Sequence, residues 1–439
     1  MNRQLRRDPL SPTEELMISI ERDPRFRSTF ANLTMLDGHP DMERLRTRMA
    51  ETAEGFVRLR QRIEDGHWVE VRDFDSDEHV QVRPLGRKWS PAAVRRRALE
   101  VLHEPFPEGR PPWLFLVLLD EASDRAAMVW KLHHAITDGQ GGIKMSASLM
   151  DASPDATAPL ISAQDLHFDH DRAERQPAPG GSLSLNPLRL AERVRDTVRD
   201  SAGAARWMAG QAILARGRAP LWNERSMDRA FETLRRPFPR TKQAAANLGV
   251  SLNDVLVTAA TRGATRVHVD AGARPTRYRM TMPVSTRTDG SAGGNSFSPA
   301  VVELPAGVDH PADFHVVEIS KALQAVKAAP ALGLLDQMAG LANRLPAVAI
   351  GEVLGRQVAT LDFATSNVRA APFDLFIAGS HVEANYPIGP LMGAAWNLTL
   401  MSYCGSLDMG LHIDRGAVAD SRALVRAIGA AFDELLDFA

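Results

Sequence analysis

The sequence predicts two layered domains of the α/β type (α+β layered), on three observations. At 439 residues the chain exceeds the size at which a single hydrophobic core usually keeps growing. Short apolar runs of strand length and amphipathic stretches of helical spacing mix in both halves. Between the halves the composition changes, since "DASPDATAP" and "DHDRAERQPAPGGS" are rich in Pro, Asp, Ser and Gly and offer little to bury. The expected organisation is an N-terminal domain over residues 1–155, a linker over 156–186 and a C-terminal domain over 187–439.

The elements follow in chain order. "LSPTEELMISIE" reads as a capped helix start, with Ser11, Pro12 and acidic residues in the first turn where the helix dipole favours negative charge. In "DMERLRTRMAETAE" the apolar residues Met42, Leu45 and Met49 recur at helical spacing. "PPWLFLVLL" and "AAMVWKL" are continuous apolar runs between turn residues and fit strands of a covered sheet, although periodicity alone does not exclude helix. The stretch "LNPLRLAERVRDTVRDSAGAARWMAGQAILARGRAP" has helical character and a basic bias. From Pro187 to Arg240 there are 12 Arg against 6 Asp or Glu, an excess that suits either a solvated helix face or attraction to lipid or nucleotide phosphates. Ser251 followed by Asp254 marks another capping-box-like start, with Leu252, Val255, Leu256, Ala259 and Ala260 on one stripe. "TRYRMTMPVSTR" alternates as a half-buried strand. "AAWNLTLMSYCGSLDMGLHID" reads as two strands around a Cys-Gly-Ser turn, and "ADSRALVRAIGAAFDELLDFA" closes the chain as an amphipathic helix.

The totals exclude several classes. Hydrophobic content of 44% and charged content of 24% describe a globular protein, and a net charge of −2 gives no reason to expect nucleic acid as a partner. The single cysteine, Cys404, rules out an internal disulfide framework and is compatible with a reducing, cytoplasmic setting. "MNRQLRRDPLSPTEE" is basic without an apolar core, so no secretory signal is read, and no uncharged apolar run approaches 18 residues. Peripheral contact at the inner face of a membrane, or with a lipid droplet, stays open.

The chemistry concentrates in "MVWKLHHAITDGQGG", residues 128–142. On a strand, neighbouring side chains point to opposite faces, which argues against His133 and His134 sharing one metal ion. Zinc would also need a third ligand that the spacing does not supply. "GQGGIK" has Lys144 where a dinucleotide loop needs its last glycine, and it is not a P-loop. A core role for one histidine, with Asp138 capping the next helix, explains part of the pattern. The pair followed by Asp138 and Gly139 is better explained as a base and its supports. One imidazole faces a solvent channel and takes a proton from a bound hydroxyl, while its neighbour and Asp138 anchor the turn. Gly139 allows the tight turn or the close approach of a substrate.

"HHAITDG" resembles the HHxxxDG motif of acyl-CoA-dependent acyltransferases with the chloramphenicol acetyltransferase-like fold, a group that includes peptide-synthetase condensation domains. Six further segments, "PLSPTEELMISIE", "RPPWLFLVLLD", "SLNDVLVTA", "MPVSTR…GGN", "SNVRAAPFDLFIAGSHVEANYPIGPL" and "WNLTLMSYCGSLDMGLHID", resemble the bacterial wax ester synthase/diacylglycerol acyltransferase family in order and spacing. The resemblance implies two domains of similar fold with a substrate tunnel between them. By the same carry-over His134 is the base, and His133 and Asp138 support the loop. Asn253 and Asp254 match an Asn-Asp pair at a helix start that faces the site, where an amide donor and a helix N-terminus favour charge developing on a thioester oxygen. Plain capping is the other reading of that pair. Charge complementarity and the related fold let Arg287 pair with Asp138. Trp113 falls in the family's Pro-Leu-Trp-like segment, and its plainer reading is core packing.

The implied partners are acyl-CoA, as substrate and not cofactor, and a lipophilic alcohol, with no metal. The implied reaction moves a long-chain acyl group to a diacylglycerol or long-chain alcohol by direct attack, without an acyl-enzyme. No G-x-S-x-G elbow occurs, and Cys404 has no nearby histidine in sequence. The rivals are an acyltransferase for another alcohol or amine and a lipid-binding relative without catalysis. Gln140 and Gly141 after Asp-Gly, and Arg369 and Ala370 after "SNV", depart from the family's usual residues where a tunnel wall is expected.

Overall fold

A strand that is buried at nearly every position lies where both of its faces are covered. Trp113–Leu119 and Arg125–His133 are such strands, and they lie inside a seven-stranded sheet. The computed structural model describes residues 6–21, 23–86, 88–120, 122–137, 139–162, 219–285, 297–327 and 361–439. The order across this first sheet is β5 (Val80–Pro84), β6 (Trp113–Leu119), β7 (Arg125–His133), β2 (Thr29–Asp37), β14 (Ser380–Ile388), β13 (Phe376–Ile377) and β8 (Met150–Asp151).

Alternate side chains of β6 and β7 feed two cores. Trp113, Phe115, Val117, Met128 and Leu132 meet Leu45, Met49 and Ala53 of helix α2 (Met42–Gly55). Leu114, Leu116, Leu118, Ala127 and Val129 meet Val94, Ala98 and Val101 of helix α3 (Pro91–His103). A small sheet of β1 (Arg7–Pro9), β4 (His67–Glu70) and β3 (Gln61–Glu64) flanks this half.

The second sheet runs β11 (Phe297–Pro305), β10 (Arg277–Ser285), β12 (Phe363–Arg369), β15 (Trp396–Tyr403), β16 (Ser406–Asp414) and β9 (Arg229–Pro237). One face is covered by helices α6 (Leu252–Asp270), α7 (Ala312–Lys327) and α8 (Ser421–Leu436), which contribute Val255, Leu256, Ile319, Leu323, Ile428 and Phe432 to the core. The expected hairpin is present. Cys404 and Gly405 take φ of 39° and 75°, the left-handed pair that suits a two-residue turn between twisted strands.

Two features refine the expected division. First, β13 and β14 come from the stretch assigned to the C-terminal domain, yet they pair in the first sheet, where β14 lies antiparallel to β2. The chain therefore crosses between sheets. At the crossing Gly410 lies so close to Pro387 that an added Cβ would fall 1.9 Å from the Pro387 carbonyl oxygen. Second, near the end of the basic stretch residues 229–237 form the strand β9, and helix α5 (Phe238–Asn247) begins only after it. Arg229 and Arg235 stand opposite Asp414 and Asp408 of β16 and pair with them at 2.7 Å each, so cross-strand carboxylates occupy these two cations. Residues 187–218 of that stretch and linker residues 163–186 lie outside the described residues. Among the described residues no helix is long and apolar enough to cross a membrane.

Candidate active site

Helix α1 (Pro12–Ile20) starts as the sequence predicts. Ser11 and Glu14 exchange capping bonds, with the Ser11 N–H donating to Glu14 at 2.7 Å and the Glu14 N–H to the Ser11 hydroxyl at 3.3 Å. The helix ends at Glu21, which follows its last turn. From there the chain returns through Ser28 into β2, whose Thr29 stands opposite His133 at the end of β7.

The two histidines part at this point. The His133 N–H donates to the Pro112 carbonyl at 3.0 Å, and the chain then turns, with the Ile136 N–H donating to the His133 carbonyl at 3.0 Å. The His133 ring is buried and both of its nitrogens are engaged. Nδ1 accepts the Ala135 N–H at 3.0 Å, and Nε2 lies 3.0 Å from Oε1 of Glu21. A nitrogen that accepts a peptide N–H carries a lone pair, so the ring proton is on Nε2 and is donated to the carboxylate. Oε1 of Glu21 also accepts the Ser28 N–H. Burial pushes the Glu21 carboxyl up, but the hydrogen bond from His133, with the Ser28 N–H, outweighs it and holds the group below its ordinary range.

His134 stays half-buried, its ring 4.5 Å from that of Phe30 and tilted by 44°. Its N–H donates to the Ser28 carbonyl at 3.1 Å. The Ser28 hydroxyl in turn lies 3.9 Å from the Met392 sulfur, which brings the loop after β14 to the histidine turn. The turn therefore belongs to both halves of the chain.

The other expected residues fall as follows. Gly139 opens helix α4 (Gly139–Ala147). Asp138 and Arg287 lie outside the described residues, and with them the proposed pair. Asp254 is buried at the start of α6, where its carboxylate accepts the Ser251 N–H at 2.8 Å and the Ser320 hydroxyl at 3.0 Å. Its described contacts are those of a cap and of a tie to α7. No described hydrogen bond or ion pair joins Asn253 or Asp254 to the histidine turn. Trp113 is fully buried, donates to the Leu59 carbonyl at 2.8 Å and stacks on His79 at 4.4 Å, so it packs the core. Cys404 donates to Asp374 at 3.0 Å, and that bond, with burial, pushes the thiol above its ordinary range. Among the described residues no group of three His, Cys, Asp or Glu side chains is placed to hold a metal ion. Glu21 is the residue that sequence reading missed.

The wax ester synthase/diacylglycerol acyltransferase catalytic domain model matches residues 10–256, and the C-terminal domain model of the same family matches residues 293–436. A Mycobacterium tuberculosis (strain ATCC 25618 / H37Rv) protein that bears the name of a diacylglycerol O-acyltransferase is 30% identical over 98% of this chain and 92% of its own. A solved wax ester synthase/diacylglycerol acyltransferase from Marinobacter aquaeolei VT8 is 18% identical, with a TM-score of 0.68 over 97% of this chain and 98% of its own. The starter condensation domain of rhizomide synthetase, solved as a mutant with C8-CoA and Leu-SNAC, gives a TM-score of 0.58 at 15% identity over 97% of this chain and 94% of its own. The chain belongs to the wax ester synthase/diacylglycerol acyltransferase family, has the two-domain fold shared with condensation domains, and is an acyl-CoA-dependent acyltransferase.

Proposed function

From that membership we propose that this enzyme moves a long-chain acyl group from acyl-CoA to the hydroxyl of a diacylglycerol or long-chain alcohol, with His134 as general base. The observation that carries the assignment is the unequal state of the two imidazoles. His133 is buried with one nitrogen on Glu21 and the other on Ala135, so it has no nitrogen left for a substrate. His134 follows the strand end and keeps part of its surface open.

In the proposed step His134 takes the acceptor's hydroxyl proton as the oxygen attacks the thioester carbon. The carbonyl oxygen gathers the charge, the carbon–sulfur bond breaks, and CoA leaves as the thiol after taking back a proton from the imidazolium. An imidazole titrates near neutral pH, so it can serve in both directions. The raised Cys404 thiol, tied to a carboxylate in a hairpin turn, supports direct transfer over an acyl-cysteine. The proposal gives Asn253 the donor role toward the thioester oxygen and Asp254 the task of fixing that helix start. Acyl-CoA acts as substrate, no further cofactor is invoked, and the enzyme meets its lipophilic acceptor at a lipid surface.

Thiol release from palmitoyl-CoA, measured with and without hexadecanol or a diacylglycerol, tests this directly. Acceptor-dependent release that disappears in His134→Gln is expected. Release only with other alcohols or amines would replace the acceptor, and an unaltered rate in His134→Gln would remove the base.

A further inference from the structure

We propose that Glu21 is the positioning residue of this site, one carboxylate oxygen fixing the peptide units on both sides of His134. The inference rests on His134 being the base and adds how that base is aimed.

Two relays start from Oε1 of Glu21. On one side it accepts the Ser28 N–H, and the carbonyl of the same Ser28 accepts the His134 N–H at 3.1 Å. On the other side it accepts the His133 Nε2–H at 3.0 Å, and Nδ1 of that ring accepts the Ala135 N–H at 3.0 Å. The N–H before the base's side chain and the N–H after it are thus each held at one remove by the same atom. Because both relays are made of side chains and peptide groups with few rotatable bonds, the direction in which the His134 side chain leaves the backbone is set before substrate arrives.

The placement of Glu21 supports a role beyond the helix that carries it. A carboxylate at a helix C-terminus meets the negative end of the dipole, the unfavourable end for its charge. Its side chain is also largely removed from water, at 20% exposure. Local helix energetics explain neither choice, whereas the contacts with His133 and Ser28 explain both. The relay further demands one tautomer of His133. A proton on Nδ1 would break the bond from Ala135, and the Glu21 carboxylate secures the proton on Nε2. Glu21 touches neither substrate in this scheme and acts only through the turn.

The test uses the full-length enzyme, palmitoyl-CoA and hexadecanol or a diacylglycerol. Glu21→Met fills a similar volume and offers only a weak sulfur acceptor, whereas Glu21→Gln offers one uncharged oxygen that can accept both. In Glu21→Met, kcat should fall by about 10- to 100-fold, the effect of a small misplacement of a reacting group, with KM for palmitoyl-CoA unchanged within about twofold. Glu21→Gln should recover most of that loss. Placed on a His133→Ala background, Glu21→Met should cost less than it does alone, because the relay through His133 is already lost and only the one through Ser28 remains.

Unchanged kcat in folded Glu21→Met, a loss confined to KM, or full additivity with His133→Ala would overturn the proposal. If Glu21→Met does not fold, Glu21→Asp carries the test, since the shortened side chain cannot reach both donors. It should then lose kcat while remaining folded at the assay temperature, and an unchanged kcat would overturn the proposal. His134→Gln in the same assay separates the two readings. If it stays active the base assignment fails, and if it is inactive while Glu21→Met is not, only the role of Glu21 fails.

Discussion

Two pairs of histidines lie at the meeting of the two halves of this chain, and their neighbours give them opposite characters. At the first, His133 leans on the ionised Glu21 and His134 remains half open. At the second, His103 at the end of α3 faces His412 of β16 with ring centroids 5.4 Å apart, and His412 is only 4% exposed. Here the surroundings are cationic. Burial, then Arg229, Arg27 and Lys131, push His103 down to about 4. Burial, then His103 and Arg229, push His412 down to about 3 despite the bond between its Nδ1 and the Gly389 carbonyl at 2.9 Å. Lys131, which donates to the Glu104 carbonyl and lies 4.2 Å from the Phe106 ring, is itself pushed by burial to about 8. A carboxylate partner gives an imidazole a fixed tautomer and a task, whereas cations and burial leave it a neutral filler of the seam. The same side chain therefore reads as machinery in one place and as packing in the other.

The largest effect that bears on this contrast is kinetic. His134→Gln should lower kcat by about 10²- to 10⁴-fold, the usual worth of a general base. His412→Gln, which keeps a neutral side chain able to donate to Gly389, should leave kcat within about threefold while lowering the melting temperature through imperfect packing. Measuring both by thiol release and thermal melting breaks the comparison if His412→Gln loses activity as His134→Gln does.

The next effect is on acid stability, and the two pairs should act in different windows. The folded values of His103 and His412 are depressed, so as pH falls the unfolded chain takes up protons first. The neutral pair's contribution is complete above about 6.5, the ordinary imidazole value, and is lost as pH falls toward 4 and then 3. The folded Glu21 value is also depressed, but from the ordinary carboxylate range, so its contribution is complete above about 4.3 and is lost only below that. Melting curves across pH should therefore show the parent weakening between 6.5 and 4.5, with that slope flattened in the His103→Gln/His412→Gln double variant and retained in Glu21→Gln. An equal slope in the double variant would show that other groups govern the acid response.

The contrast also bears on what could be read before the structure. The signals that survived were local. Apolar runs became β6 and β7, "HHAITDG" marked a strand end, Ser11–Glu14 and Ser251–Asp254 became capping boxes, and Cys404–Gly405 became a hairpin turn. What escaped depends on pairings between distant residues. Strand β9 was hidden by arginines that look like a solvated helix face until Asp408 and Asp414 are set opposite two of them. Strand β14 looks like any strand of the second half, and nothing in its own residues says that it pairs with β2. Glu21 offered one weak cue, an acidic residue against the dipole at a helix end, and its partner lies across the fold. Asp254 teaches the converse. One pattern serves a cap or a site, and here the described contacts are those of the cap.

The smallest expected effect sharpens the comparison most cleanly, because it puts a carboxylate beside a different group. Asp374 accepts from Cys404 at 3.0 Å and, on the same oxygen, lies 3.2 Å from Nε2 of His381, so thiol, carboxylate and imidazole gather at one surface turn. A carboxylate that helps an imidazole by holding its proton hinders a thiol, since the anion formed on sulfur would face another anion. The hydrogen bond to Asp374, then burial, accordingly push Cys404 up. Cys404→Ser should leave acceptor-dependent thiol release within about twofold of the parent, since the hydroxyl can make the same bond and direct transfer needs no thiolate. Alkylation of the parent by iodoacetamide should be slower than that of a free cysteine at pH 8, and Asp374→Asn should speed it by removing the opposing charge. A hundredfold loss in Cys404→Ser would instead make this turn a second reactive centre and end the view that the histidine turn alone does the chemistry.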